Sequence, residues 1–186
     1  MLMKKSYIQD KTILVVDDEK DVLEGIEEIL GMADVDTSKD YKTASEKISQ
    51  NKYDLVIIDI MGVNSLSLLE KAVEKKIPAV MLTADVMNYK TLMLSIRKGA
   101  IFILPKERLA ELDRLLEMLL AVYHSGKPTW DTLFDELGDY FYKKFGPPMD
   151  TVEWICRFIK RKKLPRIYHY NNIFKKNTEN ILQKAS

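Results

Sequence analysis

Two kinds of segment alternate along the chain: short apolar runs, and longer stretches whose apolar residues recur every three or four positions. Leu55–Ile58 and Pro78–Leu82 are apolar at nearly every position, and Thr12–Val16 and Ile101–Leu104 are similar. That pattern suits parallel strands covered on both faces. Val35–Ser38 is a weaker strand candidate. Between the runs, Asp21–Leu30 carries Val22, Leu23, Ile26, Ile29 and Leu30 on one helical face, with Gly31 where a helix C-cap belongs. Tyr41–Gln50 reads as a helix with a thin apolar face of Ala44 and Ile48. Leu66–Lys75 and Tyr89–Lys98 read as two more, the latter ending at Gly99. Strand and helix alternate five times, which predicts an α/β fold. Right-handed crossovers then build one doubly wound, five-stranded parallel sheet with helices on both faces.

The texture changes at Glu107. Leu109, Leu112, Leu116, Leu119 and Tyr123 form the stripe of a long amphipathic helix, and Ser125-Gly126-Lys127-Pro128 breaks it. Trp130, Leu133, Phe134, Leu137, Phe141 and Phe145 mark another such helix, ended by Gly146-Pro147-Pro148. Asp150 or Thr151 caps a third, with Val152, Ile155, Phe158 and Ile159 on its apolar side. The reading is therefore one domain over residues 10–125 and a small helical extension over 126–186.

Chemistry gathers at the C-terminal ends of the apolar runs. The first run ends in Asp17-Asp18-Glu19, another in Asp59, another in Thr83 and the last in Lys106. In an open parallel sheet these ends share one edge, the edge that forms the ligand crevice. Three carboxylates together repel one another unless a cation or a proton sits among them. Oxygen-only donors favour Mg²⁺ or Mn²⁺ over softer metals. Asp18 has a blander alternative, as the cap of the helix that follows it.

Charge and composition alter the picture only in part. The net charge of +1 hides an asymmetry: residues 1–126 hold 17 basic against 21 acidic side chains, and 127–186 hold 12 against 7. The basic end of the extension, with Arg157, Lys160-Arg161-Lys162-Lys163, Arg166, Tyr168, His169 and Tyr170, could serve as a footprint on nucleic acid. A solvated helix end explains the same residues, and no clean helix-turn-helix accompanies them. The single Cys156 excludes an intramolecular disulfide and suits a buried thiol in a reducing compartment. His124 and His169 lack a metal-ligand pattern around them. Met1–Lys11 has no apolar signal core, and no apolar run approaches membrane-spanning length. A cytoplasmic protein without membrane contact is expected.

With Asp17, Asp18, Asp59, Thr83 and Lys106 in this order, the chain resembles the receiver domain of response regulators, CheY-like proteins of two-component systems, over about residues 10–125. The resemblance implies a flavodoxin-like sheet of order 2-1-3-4-5. It implies that Asp59 accepts a phosphoryl group from a sensor histidine kinase or phosphotransfer protein. Asp17, Asp18 and Asp59, with the backbone carbonyl of Met61, would hold Mg²⁺ or in its place Mn²⁺. Thr83 and Lys106 would meet the phosphoryl oxygens, and the peptide joining Pro105 to Lys106 would be cis. Such a protein is not an enzyme beyond its own phosphorylation and dephosphorylation. It signals to a protein partner or to its own extension, and the apolar stripes of the C-terminal helices also offer a homodimer face. The rival within the same resemblance is a DNA-binding transcriptional regulator that uses the basic helices. A Mg²⁺-dependent aspartyl-phosphate phosphatase would need a second Asp two residues beyond Asp59, where this chain has Met61.

The chain departs from the family's pattern in places. The segment Ile60-Met61-Gly62-Val63-Asn64-Ser65 is short and lacks the usual Pro, so Gly62 is expected to supply the tight turn. Ile103 stands where the family's aromatic switch belongs, with Phe102 one residue away and facing the other side. Met61 and Asp85 occupy positions that tune hydrolysis of the phosphoaspartate, and an apolar Met61 predicts a long-lived phosphoryl state.

Overall fold

The computed structural model describes residues 6–62, 64–84, 89–127, 129, 132, 135–138 and 140. Five strands and five helices alternate: β1 (Thr12–Val16), α1 (Lys20–Ile29), β2 (Asp34–Ser38), α2 (Tyr41–Gln50), β3 (Leu55–Asp59), α3 (Ser65–Glu74), β4 (Ala79–Thr83), α4 (Tyr89–Lys98), β5 (Phe102–Pro105) and α5 (Leu112–His124). All strands pair in parallel in the order β2-β1-β3-β4-β5, the doubly wound order expected. β3 and β4 are buried at every residue, which is why their sequences do not alternate. β2 lies at the sheet edge with four of its five residues partly or fully exposed, so it carries Asp34, Asp36 and Thr37 and signals weakly in sequence.

The chain divides into two compact units, 1–133 and 134–186. In the second, residues 135–138 and 140 are helical, in keeping with the helix expected over Trp130–Phe145. The expectations for Gly146–Pro148, for the helix beginning at Asp150 or Thr151, and for Cys156, the basic run and His169 lie outside the described residues. So does Asp85.

The helix ends are locally determined. α4 closes with Gly99 at φ 102, its N–H on the Ile96 carbonyl (3.1 Å) and the Ala100 N–H on that of Ser95 (3.0 Å). This is the Schellman pattern. α5 closes the same way at Gly126, and α3 at Lys76, which takes φ 60 despite its side chain. Gly31, expected at the C-cap of α1, lies one residue beyond it and without a positive φ; among the described residues the positive-φ glycines are Gly99 and Gly126. Instead Leu30 ends α1, its N–H bonded to the Ile26 carbonyl at 2.9 Å. At Gly99 a Cβ would stand 3.0 Å from Val73 Cγ2 on α3, in addition to the backbone strain. Gly99→Ala should therefore cost about 1–3 kcal/mol, read from urea denaturation. A cost below a few tenths would mean that α3 and α4 separate without penalty.

Two further expectations need correction. The apolar stripe beginning at Leu109 is not one continuous α-helix. Lys106–Glu111 forms a 3-10 turn, and the α-helix starts at Leu112. Apolar spacing of three suits either geometry, so the stripe alone does not separate them. All peptide bonds among the described residues are trans, including the one joining Pro105 to Lys106. Cis bonds belong almost wholly to the bond preceding a proline, and Lys106 follows Pro105 rather than preceding one.

The N-terminal segment docks where nothing in its sequence pattern announced it. The Glu117 carboxylate on α5 accepts from the Ser6 hydroxyl, the Tyr7 N–H (2.8 Å) and the Ile8 N–H (3.4 Å). Ile8 is fully buried, and the Tyr7 ring stacks on His124 with centroids 5.6 Å apart.

Candidate phosphoacceptor site

The sheet delivers its polar residues to one edge. Asp17 follows β1, Asp59 ends β3, Thr83 ends β4 and Lys106 follows β5. Asp17, Asp59 and Thr83 are buried (2%, 3% and 1% exposed), whereas Asp18 is exposed. Asp17 is oriented through Oδ1, which accepts the Glu19 N–H at 3.0 Å, and its own N–H donates to the Ser38 carbonyl at 3.1 Å. Asp18 does not cap α1: Glu19 is the N-cap, and no side chain bonds there.

The Lys106 ammonium is 2.8 Å from Asp17 Oδ2, 2.7 Å from Glu19 Oε1 and 3.6 Å from Asp59 Oδ1. It is thus closer to Asp17 and Glu19 than to Asp59. Its contacts with Asp17 and Asp59 are those of charges without aligned hydrogen bonds, because Asp17 Oδ2 and Asp59 Oδ1 are both buried with no hydrogen-bond partner. Burial alone would lower the Lys106 pKa, but the contacts with Asp17, Glu19 and Asp59 outweigh it and hold the ammonium above the ordinary lysine value. Burial also raises the Asp59 carboxyl above its ordinary value, and the charges of Asp17 and Asp18 act in the same direction. Lys106 and the Met61 N–H pull it back without overcoming burial.

One carboxylate oxygen from each of Asp17, Asp18 and Asp59 lies within 4.8 Å of the others. Three hard oxygen donors at that spacing fit a small divalent cation, and the two buried carboxylates each leave one oxygen unsatisfied. Met61 flanks them and is 64% exposed.

The loop after β3 does not turn as expected. Asn64, not Gly62, adopts the left-handed conformation, at φ 59. Asparagine is among the few residues other than glycine that visit this geometry routinely. The buried Ser65 hydroxyl donates to the Ile60 carbonyl (2.8 Å) and its N–H to that of Gly62 (3.3 Å), so the short loop is closed by its own bonds. Thr83 Oγ1 donates to the Ala84 carbonyl at 3.0 Å. At the switch position Ile103 is 0% exposed, and the adjacent Phe102 is 1% exposed. Neither side chain reaches the surface, so positions 102 and 103 offer no exposed ring for a Thr83-to-aromatic switch.

The structure thus brings Asp17, Asp18, Asp59 and Lys106 together and places Thr83 and Met61 on the same edge. Glu19 was missed as a partner of Lys106. The signal was its place in the acidic run Asp17-Asp18-Glu19, but sequence order carries no distances. A cleft of about 450 Å³ adjoins the carboxylates, and its wall includes Lys39, Tyr41 and Lys42 at the start of α2, also missed.

The family model for the response regulator receiver domain matches residues 13–119. The chain belongs to that family. Among solved structures, it is similar to the Francisella response regulator 1452 receiver domain, with 25% identity and a TM-score of 0.52 over 60% of this chain and 97% of that one. It is similar in fold to a CheY-like receiver domain protein from Methanospirillum hungatei JF-1 (24% identity, TM-score 0.51, 59% and 93% covered). A response regulator from Thermotoga maritima shares the fold too (22%, 0.54, 60% and 98%). No curated protein matches the chain. No helix among the described residues is long and apolar enough to cross a membrane.

Proposed function

We propose that the protein is a two-component response regulator whose Asp59 accepts a phosphoryl group from a phosphohistidine on a sensor kinase or phosphotransfer protein. The observation that carries this reading is the Lys106 ammonium set between the buried Asp17 and Asp59, each with an oxygen that no hydrogen bond satisfies. A carboxylate oxygen of Asp59 attacks phosphorus, the bond to the donor nitrogen breaks, and its electron pair leaves with the imidazole. Positioning and charge neutralisation dominate such a transfer. Lys106, held on the Asp17 side, needs to move only about an ångström to contact Asp59 or a phosphoryl oxygen at charge-assisted hydrogen-bond distance. The Thr83 hydroxyl exchanges its bond to the Ala84 carbonyl for another phosphoryl oxygen. Asp17, Asp18, Asp59 and the Met61 carbonyl would hold Mg²⁺ or Mn²⁺, which when bound neutralises charge on the oxygens of the transferring group.

Turnover is limited to the protein's own phosphorylation and dephosphorylation, and the output is a protein contact made in the cytoplasm by the domain or its extension. The test is intact mass after incubation with Mg²⁺ and acetyl phosphate. One phosphoryl group should appear on the wild type and none on Asp59→Ala. Equal labelling of both would remove Asp59 from the reading.

The exposed thioether of Met61 offers no strong hydrogen bond to orient an attacking water. The phosphorylated form should therefore outlast that of Met61→Asn by about tenfold, followed as mass loss after the donor is removed. Equal lifetimes would mean that water enters along another side of Asp59.

A further inference from the structure

The Lys106 ammonium has one more partner than phosphoryl transfer requires. Its aligned hydrogen bond goes to Glu19 Oε1, at 2.7 Å. Asp17 Oδ2 at 2.8 Å and Asp59 Oδ1 at 3.6 Å attract it by charge alone. Glu19 is not needed for a cation: among the described residues, the carboxylates grouped closely enough to share one are those of Asp17, Asp18 and Asp59. Nor does its side chain cap α1, although Glu19 is the N-cap residue. What that side chain holds is the lysine.

The two destinations of the ammonium lie at different depths. Asp59 is 3% exposed and the Glu19 side chain 62%, so one partner is at the floor of the site and the other at its rim. The backbone fixes the rim position. The Glu19 N–H donates to Asp17 Oδ1 at 3.0 Å, and its carbonyl accepts the Leu23 N–H at 3.2 Å. Glu19 is thereby tied both to Asp17 and to the first turn of α1. To meet Asp59, or a phosphoryl oxygen on it, at charge-assisted hydrogen-bond distance, the ammonium moves inward and away from Glu19 Oε1.

We propose that Glu19 is a positioning residue that holds Lys106 at the rim in the unphosphorylated protein and so opposes the phosphorylated state. The proposal rests on the reading of Asp59 as phosphoacceptor with Lys106 meeting the phosphoryl group. Two arrangements of Lys106 are in balance, outward on Glu19 and inward on the phosphoryl oxygen. Glu19 favours only the first, so it shifts the balance by the strength of its own contact and by no more. An ion pair with one exposed partner sets that shift at a few-fold. Phosphorylation then leaves the Glu19 carboxylate without its lysine at the start of α1.

The experiment titrates beryllofluoride, a tetrahedral phosphoryl mimic that coordinates a carboxylate oxygen, at saturating Mg²⁺ and follows binding by NMR. The proteins are the wild type, E19Q and E19D. The Glu19 side chain is exposed and caps nothing, so both variants retain the fold. E19Q should bind about threefold more tightly than the wild type. E19D keeps the charge but, one methylene shorter, gives up the contact, and it should match E19Q. In a K106M background the E19Q substitution should have little effect, because the residue through which Glu19 acts is gone. Weaker binding in E19Q would make Glu19 a ligand of the cation or of the phosphoryl group and overturn the proposal. E19D matching the wild type, or a full effect of E19Q in K106M, would reduce Glu19 to like-charge repulsion and overturn it too. So would equal affinity in all three proteins. A wild type that binds no beryllofluoride, or binds it no better than D59A, would instead overturn the phosphoacceptor reading beneath it.

Discussion

Lys106→Met should lower stability by about 3 kcal/mol at neutral pH in metal-free buffer, one of the largest losses expected of a single polar side chain here. The thioether occupies nearly the same volume, so the loss is electrostatic. The ammonium is 2.8 Å from Asp17 Oδ2 and 3.6 Å from Asp59 Oδ1, and those two residues are 2% and 3% exposed. Without Lys106, two adjacent buried carboxylates face each other with no cation. The pH dependence separates this account from a packing defect. Because the folded pKa of Lys106 is raised, its contribution is fully present below the unfolded lysine value and is lost only as pH rises through the folded one. Between about pH 5 and 9 the lysine is charged in both states, so any pH dependence of the loss in that range comes from the carboxylates. The deficit should therefore shrink as acid neutralises them, and Mg²⁺ should raise the melting temperature more in the variant than in the wild type. A deficit that stays constant from about pH 5 to 8 and ignores Mg²⁺ would assign Lys106 a steric role instead.

That the lysine leans toward Asp17 and Glu19 is the kind of feature the chain does not spell out. Order along the sequence places Asp17, Asp18, Asp59, Thr83 and Lys106 on one sheet edge, because apolar runs such as Leu55–Ile58 have few alternatives to a buried parallel strand. Differences of an ångström among three carboxylates depend on side-chain geometry, which no periodicity encodes. The same limit applies elsewhere. Gly62 is the obvious residue for a tight turn, yet Asn64 takes the left-handed conformation, and Ser65 closes the loop onto Ile60. β2 has so little apolar pattern that Val35–Ser38 reads only as a weak strand, and its backbone pairing with β1 is what secures it. Nothing in the pattern around Asp36 on that strand reveals its partners. Its carboxylate accepts from Tyr53 Oη at 2.6 Å and from Lys47 Nζ at 2.5 Å, contacts that hold it below the ordinary value although burial opposes them. Ile8 is a single apolar residue in a polar segment, too little to foretell docking against α5. What was legible is what hydrophobic burial decides over several residues; what was not depends on one or two polar contacts.

Asp59→Asn should act in the opposite sense to Lys106→Met. It should abolish phosphoryl uptake and stabilise the fold by about 1 kcal/mol, or roughly 2–4 °C in Tm, in metal-free buffer near neutral pH. Asp59 carries its charge at a buried position where Lys106 is nearer to Asp17, and burial raises its pKa above the ordinary value. A carboxyl whose folded pKa is raised binds more protons in the folded state between the unfolded and folded values, so stability falls as pH rises through that window. The cost of its charge is absent below the unfolded value and complete above the folded one. Asparagine keeps the shape and removes the charge. Its advantage over the wild type should therefore be greatest above the folded pKa and vanish in acid, where Asp59 is already neutral. Mg²⁺ should narrow the gap from the other side, because a cation among Asp17, Asp18 and Asp59 supplies the compensation the wild type lacks. Melting curves of both proteins from about pH 4 to 8, with EDTA and with Mg²⁺, read all three effects. A variant less stable than the wild type throughout would mean that the Asp59 carboxylate is net stabilising through Lys106, and that the site is not held under electrostatic strain for phosphoryl transfer to relieve.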